Sequence, residues 1–110
     1  MRALHEAGAE VVEVAAPGGR LSLAAVLGEL AERDLQSVLV EGGAAVHGAF
    51  IAAGLVDDVA LFVAPRLLGG GVPVAAGRGR GLVHGLRLGA LAVRPVGADL
   101  LITAQAGPET

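Results

Sequence analysis

The segment from Val38 to Val46 contains the residues best suited to chemistry, because two glycines separate an apolar run from a helix-forming run. It reads Val38-Leu39-Val40-Glu41-Gly42-Gly43-Ala44-Ala45-Val46. The first backbone N–H groups of a helix lack intrahelical acceptors and lie at the positive end of its dipole, so they favour an anion such as phosphate. Glycines let that anion approach the backbone closely. A tight strand–helix turn that binds no ligand explains the same pattern equally well.

Four other side chains nearby could take part in chemistry. Glu41 ends an apolar run, where a carboxylate is costly unless it has partners. Those partners are either the N–H groups of its own helix or a hydroxyl or ring N–H of a ligand. His47, one turn into the helix, is placed to approach a phosphate or to lie at the surface. Asp57 and Asp58 are adjacent, so their side chains diverge, and a solvated turn is favoured over an acid–base pair.

The composition of the 110 residues excludes several function classes. The net charge is −3 and aromatics are 2 %, which argues against a nucleic-acid partner because base-stacking modules need aromatic platforms. The chain has no cysteine, and its three histidines lack ligand spacing, so we expect no metal site. The apolar stretch 44–56 is too short to span a bilayer, and the N-terminus lacks a signal-peptide run. We therefore expect a cytoplasmic protein with no membrane partner.

The spacing of apolar residues predicts an alternating α/β order of elements. Helices are predicted at 2–7, closed by Gly8, then after the capping residue Ser22, and at 44–53, ended by Gly54. Strands are predicted at 10–14, 37–40, 59–64, 86–93 and 99–104, with a glycine-rich loop at 69–85. The strand at 59–64 is predicted to be buried, and the last two strands to be joined by a turn around Pro95-Val96-Gly97. The first two strands flank a helix, which predicts a parallel pair with a right-handed crossover. The last two predict an antiparallel hairpin.

Four short motifs, taken in order, resemble a known family. They are Leu39-Val40-Glu41-Gly42-Gly43, Gly54-Leu55-Val56-Asp57-Asp58-Val59, Ala64-Pro65-Arg66-Leu67-Leu68-Gly69-Gly70 and Val96-Gly97-Ala98-Asp99-Leu100. The chain is similar to the bacterial riboflavin-biosynthesis reductase domain, the C-terminal domain of the bifunctional deaminase–reductase. The resemblance implies a dihydrofolate-reductase-like three-layer fold, with a mixed, mostly parallel sheet, flanking helices and a C-terminal antiparallel hairpin. The family domain continues upstream, so residues 1–110 would form the C-terminal part of one domain.

The resemblance also implies a function and a set of site residues. The family uses NADPH to reduce the ribosyl group of a phosphorylated pyrimidine, 5-amino-6-(5-phosphoribosylamino)uracil. Glu41 would contact the substrate, and the catalytic proton donor is not identified. The cofactor pyrophosphate would lie on residues Gly42, Gly43, Ala44, Ala45, Val46, His47, Gly48 and Ala49.

The expected assembly is a homodimer, and two alternatives to this function stay open. One is a non-catalytic fragment or oligomerisation module of the same fold, whose exposed sheet edge pairs with another copy. The other is a reductase of the same superfamily that acts on a different substrate.

Overall fold

The computed structural model describes residues 1–79 and 84–107. Backbone contacts divide the chain into two compact units, residues 1–39 and residues 40–110. In chain order the elements are α1 (Arg2–Glu6), a 3-10 turn (Pro17–Gly19), α2 (Leu23–Glu32), α3 (Ala44–Ala52), β1 (Asp58–Val63), β2 (Ala92–Val96) and β3 (Asp99–Gln105). Within the described residues, no helix combines the length and apolarity needed to cross a membrane.

The three predicted helices are confirmed, and their ends follow the predicted signals. Gly8 follows α1 with φ 91°, a conformation that a side chain would strain. Ser22 caps α2, since its Oγ accepts a hydrogen bond from the Ala25 N–H at 3.2 Å. Gly54 follows α3 with φ 70°. These boundaries depend on local backbone chemistry, which a sequence displays directly.

The first unit contains a groove of about 400 Å³ beside α2. It is lined by Glu10, Val12, Val14, Leu21, Val26, Glu29, Leu30, Arg33 and Leu35. At its charged rim the Arg33 guanidinium contacts the Glu10 carboxylate at 2.7 Å and the Glu29 carboxylate at 3.0 Å. The walls of the groove are therefore mostly apolar, and the two ion pairs of Arg33 lie along one side of it.

The second unit contains a three-stranded antiparallel sheet in the order β1-β3-β2. An antiparallel hairpin is confirmed, in which β2 and β3 pair from Ala92 opposite Thr103 to Val96 opposite Asp99, but its first strand covers Ala92–Val96 rather than the predicted 86–93. Its turn uses Gly97, at φ 60°. Pro95 lies within β2 rather than in the turn, which is possible because β2 is an edge strand, where a missing N–H costs no ladder bond.

The predicted parallel pairing is not found in the described part of the chain. Residues 10–14 and 37–40 belong to no β-strand, and both strand pairings are antiparallel. A strand exists only where a neighbouring segment accepts and donates its backbone hydrogen bonds. Apolar, β-branched composition reports a tendency to extend, but it says nothing about whether such a neighbour is present.

The predicted burial of residues 59–64 is also wrong for this chain. They form β1 largely as predicted, but Phe62 is 60 % exposed and Val63 is 42 % exposed. Among the described residues, only Ala104 on β3 is buried, at 8 % exposure. A strand becomes buried when other layers cover both its faces, which is a property of the surrounding structure rather than of the strand.

Candidate functional site

The candidate anion site is the beginning of α3. Gly43 precedes this helix with φ 93° and ψ 177°, a backbone conformation that is essentially restricted to glycine. Its N–H donates to the main-chain oxygen of Glu41 at 2.9 Å. No side chain caps the helix. The N–H groups of Ala44, Ala45 and Val46 therefore have no intrahelical or capping acceptor, as an anion site requires.

Glu41 does not serve as the cap of α3. Its side chain is exposed, and the start of the helix has no side-chain hydrogen bond. The helix-capping explanation of this carboxylate is thus not supported. Glu41 lies three residues before Ala44, the first residue with a free N–H group. Its carboxylate is available to accept a hydrogen bond from a hydroxyl or ring N–H of a ligand.

Two further glycines keep the site compact. A Cβ built on Gly42 would lie 3.2 Å from the Val46 side chain, closer than most real contacts. A Cβ built on Gly48 would overlap the carbonyl oxygen of Ala76. Gly48 therefore lets the segment at Ala76 pass close to α3. Gly48 lies one turn into the helix, so its own N–H is not one of the free N–H groups at the helix start.

His47 has contacts that the sequence did not indicate. Its Nδ1 lies 2.9 Å from the carbonyl oxygen of Val74, and its Nε2 lies 3.3 Å from that of Val40. The N–H of Ala76 also donates to the carbonyl oxygen of Ala44 at 2.8 Å. Both ring nitrogens of His47 thus face protein backbone, and residues 74–76 lie along the first turns of α3.

The remaining predicted residues do not gather at a second site. Ala49 lies in the second turn of α3, where its N–H is part of the helical ladder. Asp57 and Asp58 are exposed, and Asp57 accepts a hydrogen bond from the Ala106 N–H through its main-chain oxygen. Over residues 1–79 and 84–107, no group of three or more acidic or histidine side chains could hold a metal ion.

Sequence reasoning missed the part that residues 74–76 play beside α3. Residues 69–85 were predicted only as a glycine-rich loop, of which 80–83 lie outside the described residues. The signal that could have indicated the contact is Gly48, since a glycine inside a helix often marks the close approach of another backbone.

Comparison with known proteins identifies the family of the chain. A family model described as the RibD C-terminal domain matches residues 2–102. Riboflavin biosynthesis protein RibD of Bacillus amyloliquefaciens is 49 % identical over 51 residues, 46 % of this chain and 14 % of that protein. RibD of Mycobacterium tuberculosis (strain CDC 1551 / Oshkosh) is 39 % identical over 71 residues, 64 % of this chain and 21 % of that protein.

The fold also matches a solved structure of the same name. Acinetobacter baumannii RibD, form 1, superposes with a TM-score of 0.83 at 24 % identity, over 98 % of this chain and 29 % of that one. At this identity the likeness shows the fold alone, and in each case the chain spans less than a third of its relative's length. The family model, in contrast, matches almost the whole chain, and the chain therefore belongs to the RibD C-terminal domain family.

Proposed function

We propose that this chain supplies the pyrophosphate-binding part of an NADPH-dependent reductase that acts on a phosphorylated ribosylaminopyrimidine in riboflavin biosynthesis. The observation that carries the proposal is the start of α3, where Gly43 leaves the first N–H groups without any cap. Family membership supports a nicotinamide cofactor for this position. The cofactor's pyrophosphate carries the negative charge that such a helix start favours.

The residues present fit this cofactor in their chemistry. Gly42 and Gly43 offer no Cβ toward an approaching phosphate, and Ala44 and Ala45 keep the first helical turn small. When bound, NADPH would supply the hydride, and the protein would supply binding and orientation. Glu41 is proposed to accept a hydrogen bond from the substrate, because its carboxylate is exposed and does not cap the helix.

Binding of NADPH to the 110-residue chain tests the proposal directly. Cofactor fluorescence and NMR shifts of residues 42–46 would be followed as NADPH is added. Shifts confined to the start of α3 are the expected result. Absence of binding at millimolar NADPH would exclude cofactor use by this chain alone.

The role of Glu41 is tested by Glu41→Gln in the same titration. Because the carboxylate is assigned to the substrate, this variant should bind NADPH as tightly as the wild-type chain. Glu13→Gln, at another exposed acidic position, is the matched control. A loss of NADPH affinity in Glu41→Gln alone would move Glu41 to the cofactor instead.

An interaction module is the second candidate function, favoured by the free edge of β1. Among the residues that the structure describes, this strand pairs only with β3. Its sequence Asp58-Val59-Ala60-Leu61-Phe62-Val63 contains neither proline nor a basic residue. Natural edge strands are usually protected by such residues. The opposite edge strand β2 has both, Arg94 and Pro95. We therefore propose β1 as the edge through which a homodimer would form.

A further inference from the structure

The connection between β1 and β2, residues 64–91, contains no α-helix or β-strand in its described part. Connections of this length are usually either functional or disordered. In its described part, this connection is fixed to the rest of the second unit at two places. Residues 74–76 contact α3, and residues 87–89 contact β3 and the residues just after it. The first attachment lies beside the candidate anion site.

Three features hold residues 74–76 against α3. The N–H of Ala76 donates to the carbonyl oxygen of Ala44 at 2.8 Å. The absence of a side chain at Gly48 leaves room for the Ala76 carbonyl. The third feature, the contact from His47 Nδ1 to the Val74 oxygen at 2.9 Å, is the only one made by a side chain.

The second ring nitrogen of His47 reaches a different segment. Its Nε2 lies 3.3 Å from the carbonyl oxygen of Val40, the residue before Glu41. The imidazole thus lies between the segment that leads into the anion site and the connection beside it. Carbonyl oxygens only accept hydrogen bonds, whereas a neutral imidazole has a single N–H. A neutral ring can donate to one of the two carbonyls, and a protonated ring can donate to both.

We propose that His47 is a positioning residue, which holds the connection against α3 at Val74. This contact fixes the position of the connection along one side of the candidate anion site. Its effect on NADPH binding rests on the function proposed above, whereas its hold on the connection does not. The shorter contact, at 2.9 Å, assigns the N–H of the neutral ring to Nδ1. Protonation adds the bond to Val40 and ties the two segments together through one side chain.

Charged groups near these segments are few. Glu41 lies next to Val40, and Arg66 and Arg78 lie on the connection that contains Val74. In the described residues, no ion pair joins any of these three to another side chain. The hold on the connection is therefore expected to depend on the hydrogen bonds of His47 rather than on an ion pair.

Three substitutions separate the two contacts. Asparagine places its amide nitrogen near the position of Nδ1, so His47→Asn should keep the bond to Val74. Glutamine reaches further, toward the position of Nε2, so His47→Gln should keep the bond to Val40. His47→Ala removes both bonds. Alanine has a high helix propensity, so α3 itself is preserved. Gly48→Ala displaces Ala76 without altering the imidazole.

Hydrogen exchange at the Ala76 amide measures the hold on the connection. His47→Ala, His47→Gln and Gly48→Ala should each accelerate this exchange about five- to tenfold, as expected for loss of one bond or of close packing. His47→Asn, which keeps the bond to Val74, should exchange like the wild-type chain. Equal exchange rates in His47→Ala and the wild type would overturn the proposal.

NADPH titration of the same variants separates this proposal from the proposed function. If the wild type binds NADPH, His47→Ala should bind it more weakly than His47→Asn, which keeps the bond to Val74. Unchanged affinity in His47→Ala, despite faster exchange at Ala76, would refute a positioning role for His47. If the wild type does not bind NADPH, the proposed function fails, and the exchange data alone decide whether His47 holds the connection.

Discussion

Gly43 precedes α3 and Gly48 lies one turn into it, and the two glycines meet different physical demands. Gly43 is required by its own backbone, since φ 93° with ψ 177° is a conformation that side chains strain. Gly48 has ordinary helical geometry and is required by its neighbour, the carbonyl of Ala76. The first demand concerns the turn that opens the anion site, and the second concerns the segment packed beside it.

Gly43→Ala is therefore expected to destabilise the chain by about 1–3 kcal/mol, the usual cost of a side chain in this backbone region. It should also weaken NADPH binding about tenfold, because the strained turn relaxes away from the anion. Urea unfolding and cofactor titration would measure the two effects. Gly28→Ala within α2, where nothing lies within 4 Å of the added Cβ, is the control and should stabilise or leave stability unchanged. Equal effects of the two substitutions would contradict this account of Gly43.

The Glu10–Arg33 ion pair gives a prediction for pH. A hydrogen bond from Arg33, and then its positive charge, hold the pKa of Glu10 below the ordinary value of 4.5. A lowered pKa stabilises the folded chain above that value, and the stabilisation is lost as the pH falls through the lowered pKa. The Glu10 side chain is 67 % exposed and that of Arg33 is 38 % exposed, so solvent screens the pair and we expect a small effect.

The urea midpoint of Glu10→Gln should lie below that of the wild type at neutral pH and coincide with it in strong acid. Glu13→Gln, which changes an exposed acid outside this network, should show no such pH-dependent difference. A constant offset between Glu10→Gln and the wild type at every pH would show that the ion pair is not its cause.

At the scale of elements, α3 and β1 share an unusual property. Each has apolar side chains outside the face that the rest of this chain covers. The sequence of α3, Ala-Ala-Val-His-Gly-Ala-Phe-Ile-Ala, has no polar face, and helices of this kind are normally surrounded by protein. On β1, Phe62 is exposed on a strand whose outer edge pairs with no other strand in the described part of the chain. Both elements are therefore suited to cover by another polypeptide.

Phe62→Lys should abolish self-association of the chain if β1 is the dimer edge. A lysine on an edge strand opposes strand addition, because its charge would have to be desolvated beside the incoming strand. Val93→Lys, an equally exposed position on the opposite edge strand β2, is the matched control and should leave the dimer intact. Sedimentation equilibrium would decide between them, and a monomeric wild type would remove the dimer proposal altogether.

At the scale of the whole molecule, the chain exposes more surface than its mass predicts. Its accessible area is 9032 Å². A folded monomer of 10.8 kDa is expected to expose about 5,500 Å². The difference exceeds the share of one partner in most obligate interfaces, which bury on the order of 2,000–5,000 Å² summed over both partners. A partner that covers the exposed apolar side chains would therefore contribute much of the stability of this fold.

The melting temperature should consequently rise with protein concentration, because association stabilises the folded state by mass action. Scanning calorimetry across about a hundredfold range of concentration would measure this rise. A melting temperature that does not change would show that the chain is stabilised without self-association.

The success of sequence reasoning differed between local and distant features. Ser22, Gly8 and Gly54 predicted helix ends correctly, because capping and positive φ act within a few residues. Residues 59–64 and the hairpin were predicted as strands for a similar reason, their apolar and turn-forming composition. The parallel pairing of residues 10–14 with 37–40 was wrong, because pairing depends on a neighbour that no local pattern encodes.

The candidate site divides in the same way. The glycines before α3 and the absence of a capping side chain are properties of consecutive residues. The sequence by itself therefore determined the turn before α3 and the family to which the motif belongs, whereas an anion site there is its prediction. Only the tertiary structure placed Val74 and Ala76 beside His47 and Gly48, some 27 residues away along the chain. Such contacts follow from the path of a long connection, whose course is determined by packing and hydrogen bonds between distant residues rather than by local propensity.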